Sequence, residues 1–167
     1  MKKNVLIILT FLFLGVFTRV IPHPPNFTAI GAIALFGGAF IQNKHFAFLT
    51  PITIMLISDL ILGYQINIAV YLSFIIIVGL GMFLKTNQTL YRIIPITIVA
   101  SFVFFIITNF SVFLTSSIYT KDIFGLLECY TLALPFFGNT IVGNMTYTII
   151  MFFAFNKIQN KAILISR

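Results

Sequence analysis

The 167 residues are 60% hydrophobic and 8% charged, with a net charge of +7 and a mean hydropathy of +1.11. Soluble domains carry roughly 25% charged residues, so this chain has too little polar side chain to cover a water-facing surface. The ten Lys and Arg are scattered between apolar runs rather than gathered on one face. That pattern excludes a nucleic-acid surface and leaves membrane topology as the account of the charge.

Taken in order, the apolar runs predict an all-α, polytopic bundle of six transmembrane helices in one domain. The spans are 4–20, 28–42, 46–63, 67–84, 92–115 and 136–156. A full crossing takes about 20 residues at 1.5 Å each, so the second span is short and belongs among its neighbours. The first opens with Lys2-Lys3-Asn4 and resembles a signal peptide, but no small-x-small cleavage site follows. It is expected to remain as an uncleaved first helix. The stretch 123–134, interrupted by Glu128, is too short to cross; it is expected to lie on the membrane surface as a short interfacial helix before the last span, or to dip in as part of a long loop.

Orientation follows from charge. With six crossings, Lys2, Lys3, Lys44, Lys85, Arg92, Lys157, Lys161 and Arg167 fall on one side, and only Arg19 and Lys121 on the other. The positive-inside rule then puts both termini in the cytoplasm of a cell with an inner (plasma) membrane. Asp59, Asp122 and Glu128 fall towards the outside.

Polar residues inside lipid are costly unless they face protein, water or ligand, and here they gather at the outer end. The loop after the first helix carries Arg19, His23 and Asn26 between three prolines that stiffen it. Asp59 ends the third span, Asn109 the fifth, and Tyr130 lies in the stretch before the last. In the last span Asn139 is followed by Thr140, Asn144 and Tyr147, a polar face at helical spacing. An outward-opening cavity for a small solute is the simplest use of these groups, with Arg19, His23, Asn26, Asp59, Asn109, Tyr130, Asn139 and Asn144 as its candidate residues. The bland alternative makes them interhelical hydrogen-bond partners, with Asp59 paired to Arg19.

Ala34 and Gly38 form a small-xxx-small pair on the second span, suited either to close internal packing or to docking of a partner helix. Cys129 is the one cysteine, and His23 and His45 are predicted at opposite sides, so neither a disulfide nor a metal site is expected. No P-loop, His-Glu-x-x-His, paired intramembrane aspartates or Gly-x-Ser-x-Gly elbow occurs. No enzyme and no cofactor are expected.

The segment Arg19-Val-Ile-Pro-His-Pro-Pro-Asn-Phe-Thr-Ala-Ile-Gly-Ala-Ile-Ala-Leu-Phe-Gly-Gly-Ala resembles the opening of a bacterial integral membrane family of unknown function, regarded as candidate transport proteins. Ser58-Asp59-Leu60, Asn109-Phe110-Ser111-Val112 and Cys129 to Thr140 resemble the same family, so the likeness runs over nearly the whole chain. That family is in turn similar to the substrate-binding (S) components of energy-coupling factor transporters, six-helix proteins with a pocket near the outer surface. The resemblance implies capture of a vitamin-like or other micronutrient, with a separate transmembrane coupling protein and ATPases as partners. A second expectation, of a different class, is a membrane scaffold or assembly subunit of a cell-envelope complex, with the second helix as its subunit interface.

Overall fold

The computed structural model describes the backbone of residues 2–165 and the side chains of residues 8–157. The cytoplasmic charges expected at Lys2, Lys3, Lys161 and Arg167 therefore lie outside the described side chains. The described residues form six helices: α1 (Lys2–Val20), α2 (Ile30–Phe40), α3 (Lys44–Leu62), α4 (Ile68–Met82), α5 (Leu90–Thr115) and α6 (Ile123–Ile165). Among the described residues there is no strand.

The helix boundaries are set by short polar side chains and glycine. Asn43 and Asn67 open α3 and α4, each accepting a hydrogen bond at 3.0 Å from the backbone N–H two residues on. Gly63 closes α3 in the left-handed region at φ 69°, where its N–H reaches the Asp59 carbonyl; a side chain there would be strained.

Successive helices alternate in direction. Arg19 of α1 lies beside Ser58 of α3, and Gly15 beside Ile54, so these two run parallel. Ser111 meets Asn67, while Phe104 meets Phe74, so α4 and α5 are antiparallel. Asn144 meets Ser101, while Tyr130 meets Ile106, and α5 and α6 are antiparallel too.

The centre of the bundle is α2, which touches every other helix and is buried from Ile30 to Ala39. Small residues make this possible. A Cβ on Gly38 would stand 2.1 Å from the Val78 carbonyl oxygen, and one on Gly81 would stand 2.1 Å from that of Leu35. Backbone therefore lies directly on backbone where α2 meets α4, the close approach that small-residue pairs permit. Below this crossing Phe36 packs edge-on against Phe11, Phe152 and Phe155 at 5.0–5.3 Å between ring centroids. The Ala34/Gly38 face is thus an internal packing surface. With Ile30 to Ala39 buried, that face is not the open docking surface offered as its other use.

Among the described residues three helices are long and apolar enough to cross a membrane: Lys44–Leu62, Leu90–Thr115 and Ile123–Lys157. Large apolar side chains face outward around the bundle, among them Leu60 at 81% exposed and Phe153 at 70%. Such a surface requires lipid, and the protein is a helical membrane protein. α2, at 11 residues, is about 16 Å long, well short of a bilayer core. It need not be longer, because it is enclosed by the other helices from Ile30 to Ala39.

One sequence expectation is corrected. The stretch 123–134 is not a separate interfacial helix but the first turns of α6, which continues unbroken through Pro135 to Ile165. A proline removes one backbone donor, yet the helix continues through it beside a neighbouring helix. α5 runs alongside to Thr115, with Tyr130 donating to the Ile106 carbonyl at 2.8 Å and the Cys129 thiol directed at that of Asn109.

Candidate functional site

At the end of the bundle away from the phenylalanine cluster is a cavity of about 400 Å³. Arg19 ends α1 on its rim. The loop that follows contributes His23, Pro25, Asn26 and Thr28, and α2 begins at its base with Ile30 and Gly31. Met55 and Tyr64 come from α3 and its outgoing turn, Phe74 and Ile77 from α4, Phe104 from α5, and Thr140 and Asn144 from α6.

The loop is held down by specific contacts. Thr18 donates to the Gly15 carbonyl and accepts from the Ala29 N–H at 3.3 Å, tying the start of α2 to the end of α1. Asn26 takes the left-handed conformation at φ 64°, a conformation Asn tolerates better than most residues. Phe27 then passes over Gly143, whose missing side chain makes room, and its ring meets Tyr147 at 5.7 Å.

Arg19 is neutralised in place. Its Nη2 lies 2.6 Å from Asp59 Oδ1, and its Nη1 donates to Ser58 Oγ at 2.7 Å. Asp59 Oδ2 accepts from the Tyr71 hydroxyl at 2.7 Å. The pair is mostly buried, and its charges are matched by hydrogen bonds on both partners, as a low-dielectric site requires. A second cavity of about 210 Å³ lies beyond it, reaching Asp59, Gln65 and Tyr71. Arg19, Met55, Tyr64 and Val70 line both spaces and form the partition between them. The Tyr64 ring lies 5.8 Å from the guanidinium, within cation–π range.

His23 stands out for the opposite reason. Both ring nitrogens are enclosed, and neither has a hydrogen-bond partner among the described residues. Buried polar atoms are paired in the great majority of cases, so an orphaned imidazole on a cavity wall marks a place where a partner belongs. On the α6 wall Asn144, 5% exposed, donates from Nδ2 to Ser101 Oγ at 3.0 Å. One turn away, Thr140 donates to the Phe136 carbonyl at 2.8 Å. Outside the cavity, at the turn into α6, Asp122 is held below the usual carboxylate range by the Gly125 N–H and the Thr120 hydroxyl.

Of the residues singled out in the sequence, Arg19, His23, Asn26 and Asn144 line the main cavity, and Asp59 lies behind Arg19 on the second. Three others lie elsewhere. Asn109 donates to the Phe105 carbonyl within its own helix, and Tyr130 donates to Ile106, so both belong to the α5–α6 seam. Asn139 does not line either cavity. Tyr71 and Ser101 escaped sequence reading. An intramembrane carboxylate needs a donor, and Tyr71 at the start of the next span could have been sought on that ground. Among the described residues there is no cluster of three His, Cys, Asp or Glu side chains.

No curated protein and no solved structure matches the chain. A family model does match, over residues 1–165, and the chain belongs to the family of unknown function DUF6580.

Proposed function

We propose that the protein is an uptake component of a bacterial inner membrane that binds a small solute from the outer face. In this reading all six helices lie in the bilayer, with both termini cytoplasmic. The observation that carries it is the 400 Å³ cavity, a largely apolar space whose walls hold the enclosed polar groups of His23, Thr140 and Asn144. Small-molecule sites have this character: a concave, mostly apolar space with a few convergent polar groups. Charge supports the orientation. Lys44, Lys85, Arg92 and Lys157 stand at the end opposite the cavity, while Arg19 and Lys121 stand at the cavity end.

Energy for release would come from partners. The sequence likeness to S components makes a transmembrane coupling protein with ATPases the first to seek, and with α2 enclosed such a partner would meet the outer faces of the remaining helices.

Native mass spectrometry of the protein, purified in mild detergent, tests the reading. A discrete small-molecule adduct is expected, reduced in Val70→Phe, which narrows the cavity from the α4 wall. An adduct of equal strength in that variant would place the solute elsewhere. A stable envelope-protein partner with no adduct would favour a scaffold.

A further inference from the structure

The directions of the protons around the cavity narrow the class of solute. This step rests on the solute-binding reading above. Ser101 Oγ donates to the Thr97 carbonyl at 2.9 Å, so its one proton is engaged. It can only accept from Asn144, which fixes the amide: Nδ2 faces Ser101, and Oδ1 points the other way, towards Gly31. Oδ1 has no hydrogen-bond partner among the described residues. Gly31 is glycine for this reason, since a Cβ there would stand 2.2 Å from that oxygen. Thr140 is in the same position, its proton given to Phe136 and its remaining lone pair available. Two oxygens one turn apart on α6, Asn144 Oδ1 and Thr140 Oγ1, therefore offer acceptors, and the second Nδ2–H of Asn144 is the one donor left beside them.

The cavity's one arginine offers no free charge, because Asp59 already neutralises it at 2.6 Å. A carboxylate or phosphate entering this space would lose its hydration and find no unpaired cation, a strongly unfavourable arrangement. A solute with N–H groups meets the α6 oxygens directly. From the α1–α2 loop the His23 ring supplies one donor and one acceptor in its neutral form. We infer that the cavity takes a small organic solute that presents N–H donors to Thr140 and Asn144 and bears no anionic group. A carboxamide or an amine fits, and the corresponding carboxylic acid does not.

The test uses the full-length protein in lipid nanodiscs, equilibrated with a protein-free small-molecule extract of the source cells. Retained compounds are identified by mass spectrometry and their affinities measured. The expected compound carries N–H donors without an acidic group. Its affinity falls about tenfold in Thr140→Val, an isosteric change that removes the acceptor, and returns in Thr140→Ser; tenfold corresponds to about 1.4 kcal/mol, the scale of one buried hydrogen bond. A retained carboxylate or phosphate, or affinity unchanged in Thr140→Val, overturns the inference and leaves solute binding standing. No compound retained by the unaltered protein overturns both.

Discussion

The two ends of this bundle are built from the same apolar alphabet and packed in opposite ways. At the end away from the cavity, α2 and α4 touch backbone to backbone at Gly38 and Gly81, and phenylalanines fill the space beside them. At the other end the helices part, and the gap is lined with Arg19, His23, Thr140 and Asn144. Lipid gives no hydrophobic drive for helix association, so packing must supply it. A tight half lets the other half remain open. The difference suggests a division of labour, in which one end holds the fold and the other is free to hold something else.

The largest expected effect strikes the tight half. Gly38→Leu forces a side chain into the Val78 carbonyl and should cost about 4 kcal/mol or more, read as loss of folded protein in a denaturant titration in detergent. Gly79→Leu is the control, since nothing lies within 4 Å of a Cβ at that position. Equal loss in both would mean that the α2–α4 contact is not what secures the bundle.

Next comes the partition in the open half. Asp59→Ala leaves the Arg19 guanidinium enclosed without its counter-ion and should destabilise by about 3–5 kcal/mol. Replacing the whole group, Arg19→Met with Asp59→Leu and Tyr71→Phe, should return stability to within about 1 kcal/mol of the original. A triple variant as unstable as Asp59→Ala would show that the open end also holds the fold, and the division of labour would fail.

How much of this the sequence discloses depends on the range of the interaction. Charge and hydropathy act segment by segment, so the α1, α3, α5 and α6 runs and the Arg19–Asp59 pair can be read from the chain. The depth of α2 could be anticipated from its length and its glycines. What cannot be read is which face each helix turns inward. Asn109 and Asn139 resemble Asn144 in the sequence, yet Asn109 bonds within its own helix and Asn139 lines neither cavity. Pro135 likewise looks like a boundary and is not one: α6 continues through it beside α5, a neighbour in space.

The smallest expected effect lies where the two halves meet. Thr148 is one turn along α6 from Asn144 and one turn short of Phe152, and it is fully buried. Its hydroxyl has no hydrogen-bond partner among the described residues. Removing a buried polar group that is already unpaired relieves a cost, so Thr148→Val should be neutral or stabilise by about 1 kcal/mol, a slight rise in midpoint in the same denaturant titration. Thr140→Val, the same change two turns towards the open end, should instead show itself in solute affinity. If Thr148→Val destabilised the protein, the hydroxyl would have a partner after all, such as an ordered water. The polar region would then reach a turn deeper than the cavity's lining shows, and the boundary between the two halves would move from Asn144 towards Phe152.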